Sequence, residues 1–370
     1  MKTDAHTHTP LSKAARTDLR SRSLDFLRYP LAIVVLVVHT CSAHNFTNNG
    51  CDTDLLDFGA VRWLFLFVRA FLSDQSVPVY FFIAGYLFFL NISLTRQIYT
   101  RKLRNRFRSL LVPYVLWNLL AFAATLPSFP SPDAGMVVRR IGAALIGVAY
   151  EPDGLTFPAD APMWFVRNLM VMAAATPLLA WLLKRTGGWC VAFFGIVWAL
   201  PATRHLGGWQ LQEAVFFFSW GAWMSRSRRE MMAEFGRFRR VSFAVYPTAA
   251  IAAVLLSGPY PQAAYACKTV AIVSGLFFAY NIAAAIVSRH RTTAATRLAP
   301  AAFFVYSSHY IILAPTSRAV ASIIGPASAA TGLAYYLLTA ATTAAIATGA
   351  YAAMRRYTPR LLSPLVGGRI

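Results

Sequence analysis

Apolar runs of membrane-crossing length alternate with short basic bursts along almost the whole chain, and this alternation predicts the architecture. Ten apolar segments stand out, at about 26–44, 77–95, 109–126, 163–183, 189–202, 211–224, 241–257, 265–287, 299–319 and 330–354. Helical runs of roughly twenty apolar residues match the hydrocarbon thickness of a bilayer. Helices are favoured there because backbone polar groups in lipid must bond to one another. The fifth and sixth segments are short and read as tilted pieces around a cavity. Residues 59–72 and 136–149 are also apolar but too short or too charged to span, so both are expected as interfacial or re-entrant helices. The expected fold is all-α, a polytopic transmembrane bundle of about ten spans. It divides into an N-terminal tail (1–24), a membrane domain (25–356) and a C-terminal tail (357–370).

The charge pattern sets the orientation. With the N-terminus inside, the cytoplasmic pieces 1–28, 96–108, 184–188, 225–240, 288–298 and 355–370 hold 27 of the 35 lysines and arginines. Acidic residues such as Asp52, Asp54, Asp57, Glu151, Asp153 and Asp160 fall on the opposite side. The positive-inside bias then puts both termini in the cytoplasm. It also makes the protein integral to the cytoplasmic membrane, with basic bursts facing lipid headgroups.

Composition agrees. Of the 370 residues, 57% are hydrophobic and only 13% charged, against about 25% charged in soluble domains; mean hydropathy is +0.49. A net charge of +21 raises nucleic acid as a partner, but cations confined to the gaps between apolar runs argue against it. The four cysteines, Cys41, Cys51, Cys190 and Cys267, form no Cys-x-x-Cys pair, so no metal or redox site is expected. Cys41 and Cys51 can pair or stay as thiols.

Candidate chemistry begins with Arg28 and His39. Eleven helical residues turn about three times plus roughly 20°, which puts both side chains on one face, about 16–17 Å apart. An imidazole in hydrocarbon is costly and marks a functional position. Asp25 lies one turn before Arg28 and can pair with it, and Pro30 is expected in the first turn of the span. His309, midway along the ninth span in Phe303-Phe-Val-Tyr-Ser-Ser-His-Tyr310, is a second intramembrane imidazole. Arg167 and Asn168, beyond the interfacial Trp164, suggest a polar cavity lining. Arg101, Arg104 and Arg106 fall in a dense burst before the third span, and guanidinium forks suit phosphate. Gly85 offers close helix contact.

These pieces resemble the acyltransferase-3 superfamily of integral membrane O-acyltransferases. The resemblance rests on Asp25-Phe-Leu-Arg28, the Arg28-x10-His39 spacing, Phe81-Phe-Ile-Ala-Gly-Tyr86, Arg101-x-x-Arg104 before Leu-Val-Pro-Tyr114, Trp164-Phe-Val-Arg-Asn-Leu169 and Tyr306-Ser-Ser-His309. The family usually has Ser-Gly where Ala84-Gly85 stands, and an acid where Asn168 stands, so neither position is given an acid–base role. The resemblance implies transfer of an acyl group, usually acetyl from acetyl-CoA, onto a sugar hydroxyl of a surface polysaccharide, oligosaccharide or glycolipid. Implied roles are catalysis for His39, Arg28 and His309, CoA phosphate binding for Arg101, Arg104 and Arg106, and substrate lining for Asp25, Trp164, Arg167 and Asn168. The chemistry fits, because an alcohol needs a base and His is the usual one. The alternative class is a multi-span transporter or flippase, whose path intramembrane Arg and His residues can also line.

Overall fold

The computed structural model describes residues 13–41, 55–57, 59–90, 95–125, 138, 141–142, 145–146, 149–150, 156–203, 210–290 and 292–369. It is a helical bundle. Apart from helices, the described residues contain one two-residue antiparallel ladder, Ala149–Tyr150 against Thr156–Phe157. Five helical stretches are long and apolar enough to cross a membrane: Gly59–Phe89, Arg96–Ala124, Pro261–Arg289, Ala294–Ala321 and Ala329–Tyr357. Two further pairs, Ala161–Ala174 with Thr176–Thr186 and Met231–Arg237 with Arg239–Leu255, are bent by 62° and 65°. Counting each bent pair as one crossing gives up to seven.

The first of these breaks has a local cause. Pro177 lacks the N–H that would reach the Ala173 carbonyl, so the helical ladder cannot continue. The Thr176 hydroxyl takes up that carbonyl instead, at 2.7 Å. Trp189–Ala199, the fifth predicted segment, is only 11 residues long, or about 16 Å. Leu211–Arg226, the sixth, has 16 residues.

Two sequence expectations change. Residues 59–72 do not form a separate interfacial or re-entrant helix. Gly59–Val68 passes through a π-helical turn, Arg69–Ser73, directly into Ser76–Phe89. Arg62 and Arg69 made the run look too charged to belong to a span. The helix carrying Arg28 and His39 starts at Lys13, not near residue 26, so Pro30 lies in its interior and leaves the Phe26 carbonyl without its helical donor. Residues 136–149 fall largely outside the described residues, and Cys51 wholly so.

The Lys13–His39 helix runs through the bundle, packed on Pro261–Arg289 and Ala302–Ala321. Side-chain bonds to three other helices pin it. Tyr80 donates to the Arg28 carbonyl at 2.6 Å. Tyr336 donates to the Val37 carbonyl at 3.1 Å, and Arg22 to the Val287 carbonyl at 3.2 Å. Its Asp18–Arg22 and Asp25–Arg28 ion pairs, at 2.8 and 2.9 Å, are partly solvated and add little stability.

The tightest helix crossing joins Ser76–Phe89 to Leu211–Arg226. A β-carbon at Gly85 would overlap the Phe218 carbonyl oxygen and stand 2.8 Å from its carbon. A β-carbon at Gly221 would overlap the Phe82 carbonyl oxygen and stand 2.7 Å from the Tyr86 nitrogen. Each glycine therefore admits the other helix's backbone, as small residues do in membrane packing. Gly85→Val and Gly221→Val should each cost on the order of 1–3 kcal/mol or more through overpacking. Thermal melting in detergent should show a clear loss of stability for both. Gly236→Ala, where no atom lies within 4 Å of the added carbon, should melt close to wild type.

Candidate functional site

Two cavities lie end to end along the Lys13–His39 helix. One, about 480 Å³, is lined by His39, Arg69, Asp74, Trp164 and Lys268, among others. The second, about 510 Å³, is lined by Asp25, Arg28, Arg106, Phe303 and Arg369, among others. Val35, Val77 and Tyr306 belong to both walls, so the two spaces adjoin at these residues. The sequence spacing of Arg28 and His39 thus has a structural counterpart: one helix presents its cation to one chamber and its imidazole to the other.

His309 is fully buried and sits beside His39, with ring centroids 5.4 Å apart and planes inclined at 41°. Its Nδ1 lies 2.7 Å from the Tyr306 carbonyl and 3.3 Å from that of Val305. Carbonyls only accept, so Nδ1 carries the proton and Nε2 presents a lone pair. The helix itself fixes this tautomer, because residues 305 and 306 are one turn before His309. Tyr310 also meets the His39 ring, edge-on at 5.8 Å between centroids. Tyr306 hydrogen-bonds through its hydroxyl to the Pro162 carbonyl. His39 lines the chamber, and His309, beside it, lies on neither of the two walls; an imidazole placed as His39 is can accept a proton from a hydroxyl.

The remaining predicted residues separate. Trp164 lines the His39 chamber; Asp25 and Arg106 line the Arg28 chamber. Arg101 and Arg104 are exposed and lie on neither of the two walls. Arg167 and Asn168 are buried, the Arg167 Nε donating to Asn168 Oδ1 at 3.3 Å. Their neighbours Val166 and Leu169 reach the Arg28 chamber, whereas Arg167 and Asn168 lie on neither wall.

Several chamber residues escaped the sequence reading. Arg69 opens the π-helical turn and Asp74 caps its end, a distortion common at functional sites. Asp74 joins Lys268 at 2.9 Å and Arg69 at 3.8 Å. Only the charge of these residues inside an apolar stretch could have flagged them. Among the described residues no group of three or more His, Cys, Asp or Glu is placed to hold a metal ion.

A family model described as an acyltransferase domain matches residues 21–352. The chain therefore belongs to the acyltransferase-3 family, as its motifs implied. Over 173 residues it is 26% identical to the succinoglycan biosynthesis protein ExoH of Rhizobium meliloti (strain 1021), a stretch covering 43% of each chain. No solved structure matches.

Beside the site, Asp160 is completely buried. Its N–H donates to Asn118 Oδ1 at 3.0 Å, while neither carboxylate oxygen has a partner among the described residues. Burial pushes the Asp160 carboxyl well above the usual carboxylate range. An acid whose folded pKa is raised keeps its proton in the fold, and this costs stability increasingly as pH climbs above the unfolded value of about 3.9. Asp160→Asn should therefore melt about 2–4 °C higher than wild type at pH 7, equivalent to about 1 kcal/mol. The gain should shrink toward zero near pH 4. An equal difference at both pH values would mean the carboxyl does not titrate this way.

Proposed function

We propose that this protein is a membrane O-acyltransferase. It takes an acyl group, in the simplest case acetyl from acetyl-CoA, at the Arg28 chamber. It places that group on a sugar hydroxyl of a surface polysaccharide, oligosaccharide or glycolipid bound at the His39 chamber. The observation that carries this reading is the adjoining pair of chambers, one lined by Arg28, Arg106 and Arg369 and the other holding the His39 imidazole, which share Val35, Val77 and Tyr306. Family membership supplies the reaction class. A partial relative named for succinoglycan biosynthesis supports a glycan acceptor.

In this reading His39 removes the proton of the acceptor hydroxyl as its oxygen attacks the thioester carbonyl. The carbon–sulfur bond breaks, CoA leaves as the thiol after taking up a proton, and an ester remains on the sugar. His309, with its tautomer set by the Tyr306 carbonyl, positions and electrostatically supports His39. Arg28, paired with Asp25 at 2.9 Å, orients the donor. Arg106 meets the donor phosphates, and Trp164 lines the acceptor space.

In the proposed orientation the Lys13–His39, Trp189–Ala199 and Leu211–Arg226 helices cross with the seven counted above, giving ten spans with both termini cytoplasmic, so that donor and acceptor approach from opposite sides. Cysteine-accessibility labelling should report outside for positions 52 and 153, and inside for positions 104 and 228. Labelling of position 228 only from outside would reverse the orientation.

His39→Ala should lose at least about 100-fold in transfer while inserting normally, and His309→Ala should be strongly impaired. Arg28→Lys keeps the charge but not the planar fork, so it should be clearly impaired as well. Mass spectrometry of the cell's glycans reads the outcome, since one acyl mass should disappear in the His39 variant. An unchanged acyl content in a correctly inserted His39→Ala protein would instead support the transporter class.

A further inference from the structure

The C-terminal segment is folded back onto the bundle. Pro359–Leu365 is a short helix whose Leu365 carbonyl accepts from Trp117 Nε1 at 3.0 Å. The chain then turns through Gly367 and Gly368, both left-handed at φ 63° and 78°. The Gly368 N–H closes the turn onto the Ser363 carbonyl at 2.8 Å. A β-carbon at Gly367 would overlap the Ser109 carbonyl oxygen, so glycine is needed there twice over, for the backbone angle and for the close approach.

This turn delivers Arg369. Its guanidinium lies 4.8 Å from the Phe303 ring centroid, and its Nη2 is 3.5 Å from the Ser109 carbonyl. Arg369 lines the Arg28 chamber together with Arg28 and Arg106, and among the described residues Asp25 is the one carboxylate on that wall. Asp25 is already paired with Arg28. Three guanidiniums facing one low-dielectric space repel each other, and a polyanion spanning them relieves that repulsion while satisfying their forks.

We propose that Arg369 is a donor-binding residue, held by the Gly367–Gly368 turn so that it and Arg106 grip the phosphate groups of an acyl-CoA. The inference deepens the acyltransferase reading and rests on it. It assigns to the C-terminal segment a part in donor recognition.

The test uses the full-length protein in nanodiscs of neutral phosphatidylcholine, with acetyl-CoA titrated at saturating acceptor and CoA as a binding probe. Arg369→Gln should raise KM for acetyl-CoA and Kd for CoA about tenfold, as expected for one lost charge-assisted contact, with kcat within about twofold. Arg369→Lys should recover most of the affinity. A structural tail would lower kcat or folded yield without this KM-specific pattern, and that result overturns the proposal. So does an Arg369→Gln effect seen only in nanodiscs containing anionic lipid, which would identify a lipid headgroup as the ligand. An unchanged KM in Arg369→Gln beside a raised KM in Arg106→Gln rejects Arg369 alone. Absence of CoA binding to the wild-type protein rejects the donor reading itself.

Discussion

The cost of holding polar side chains in an apolar interior is the constraint from which the arrangement follows. Two imidazoles cannot sit unpartnered in hydrocarbon without a large penalty. Here His309 donates from Nδ1 to the carbonyls of its own helix, one turn back, and His39 lies beside it, the tilted rings 5.4 Å apart between centroids. That solution needs the Lys13–His39 and Ala302–Ala321 helices in fixed register. The tyrosine bonds to the Arg28 and Val37 carbonyls help to hold it. His39 lines one chamber, and Tyr306, its hydroxyl tied to the Pro162 carbonyl, lines both.

The same helix then connects two chemically different spaces. Its Asp25–Arg28 turn faces a chamber rich in guanidinium groups, whose field suits an anion. Its His39 end faces a chamber where Arg69, Asp74 and Lys268 form a charged cluster and Trp164 supplies an aromatic wall. Among the described residues, Val35, Val77 and Tyr306 are those on both walls. A thioester reaching these residues from one side and a hydroxyl from the other would meet next to the imidazoles. Neither substrate would have to cross the bilayer.

Helix positions were legible in the sequence because long apolar runs have few other interpretations in a chain with so little charge. Arg28, His39 and His309 were legible for the complementary reason: a charged or imidazole side chain in such a run needs an explanation. Continuity was harder to read. The π-helical turn at Arg69–Ser73 keeps Gly59–Phe89 in one piece despite its arginines, and Lys13–His39 extends well before its apolar part, so Pro30 was placed too near the helix start. Long-range placement was not legible at all. Arg101, Arg104 and Arg106 look alike in sequence, but helical phase puts only Arg106 on the chamber wall. Arg369 is 263 positions from Arg106 in the chain, and only the fold of the Gly367–Gly368 turn brings the two to one chamber. Arg167, expected to line a cavity, is bonded to Asn168 and lies on neither of the two chamber walls.

In the proposed reaction, donor and acceptor meet from opposite sides of the membrane. Proteoliposomes with uniformly oriented protein test it most directly. Membrane-impermeant acetyl-CoA would be confined to the compartment facing the Arg28 chamber and a glycan acceptor to the compartment facing His39, and ester formation on the glycan followed over time. The account predicts transfer with this arrangement and none when both compartments are exchanged. Transfer only when donor and acceptor share one compartment would contradict it.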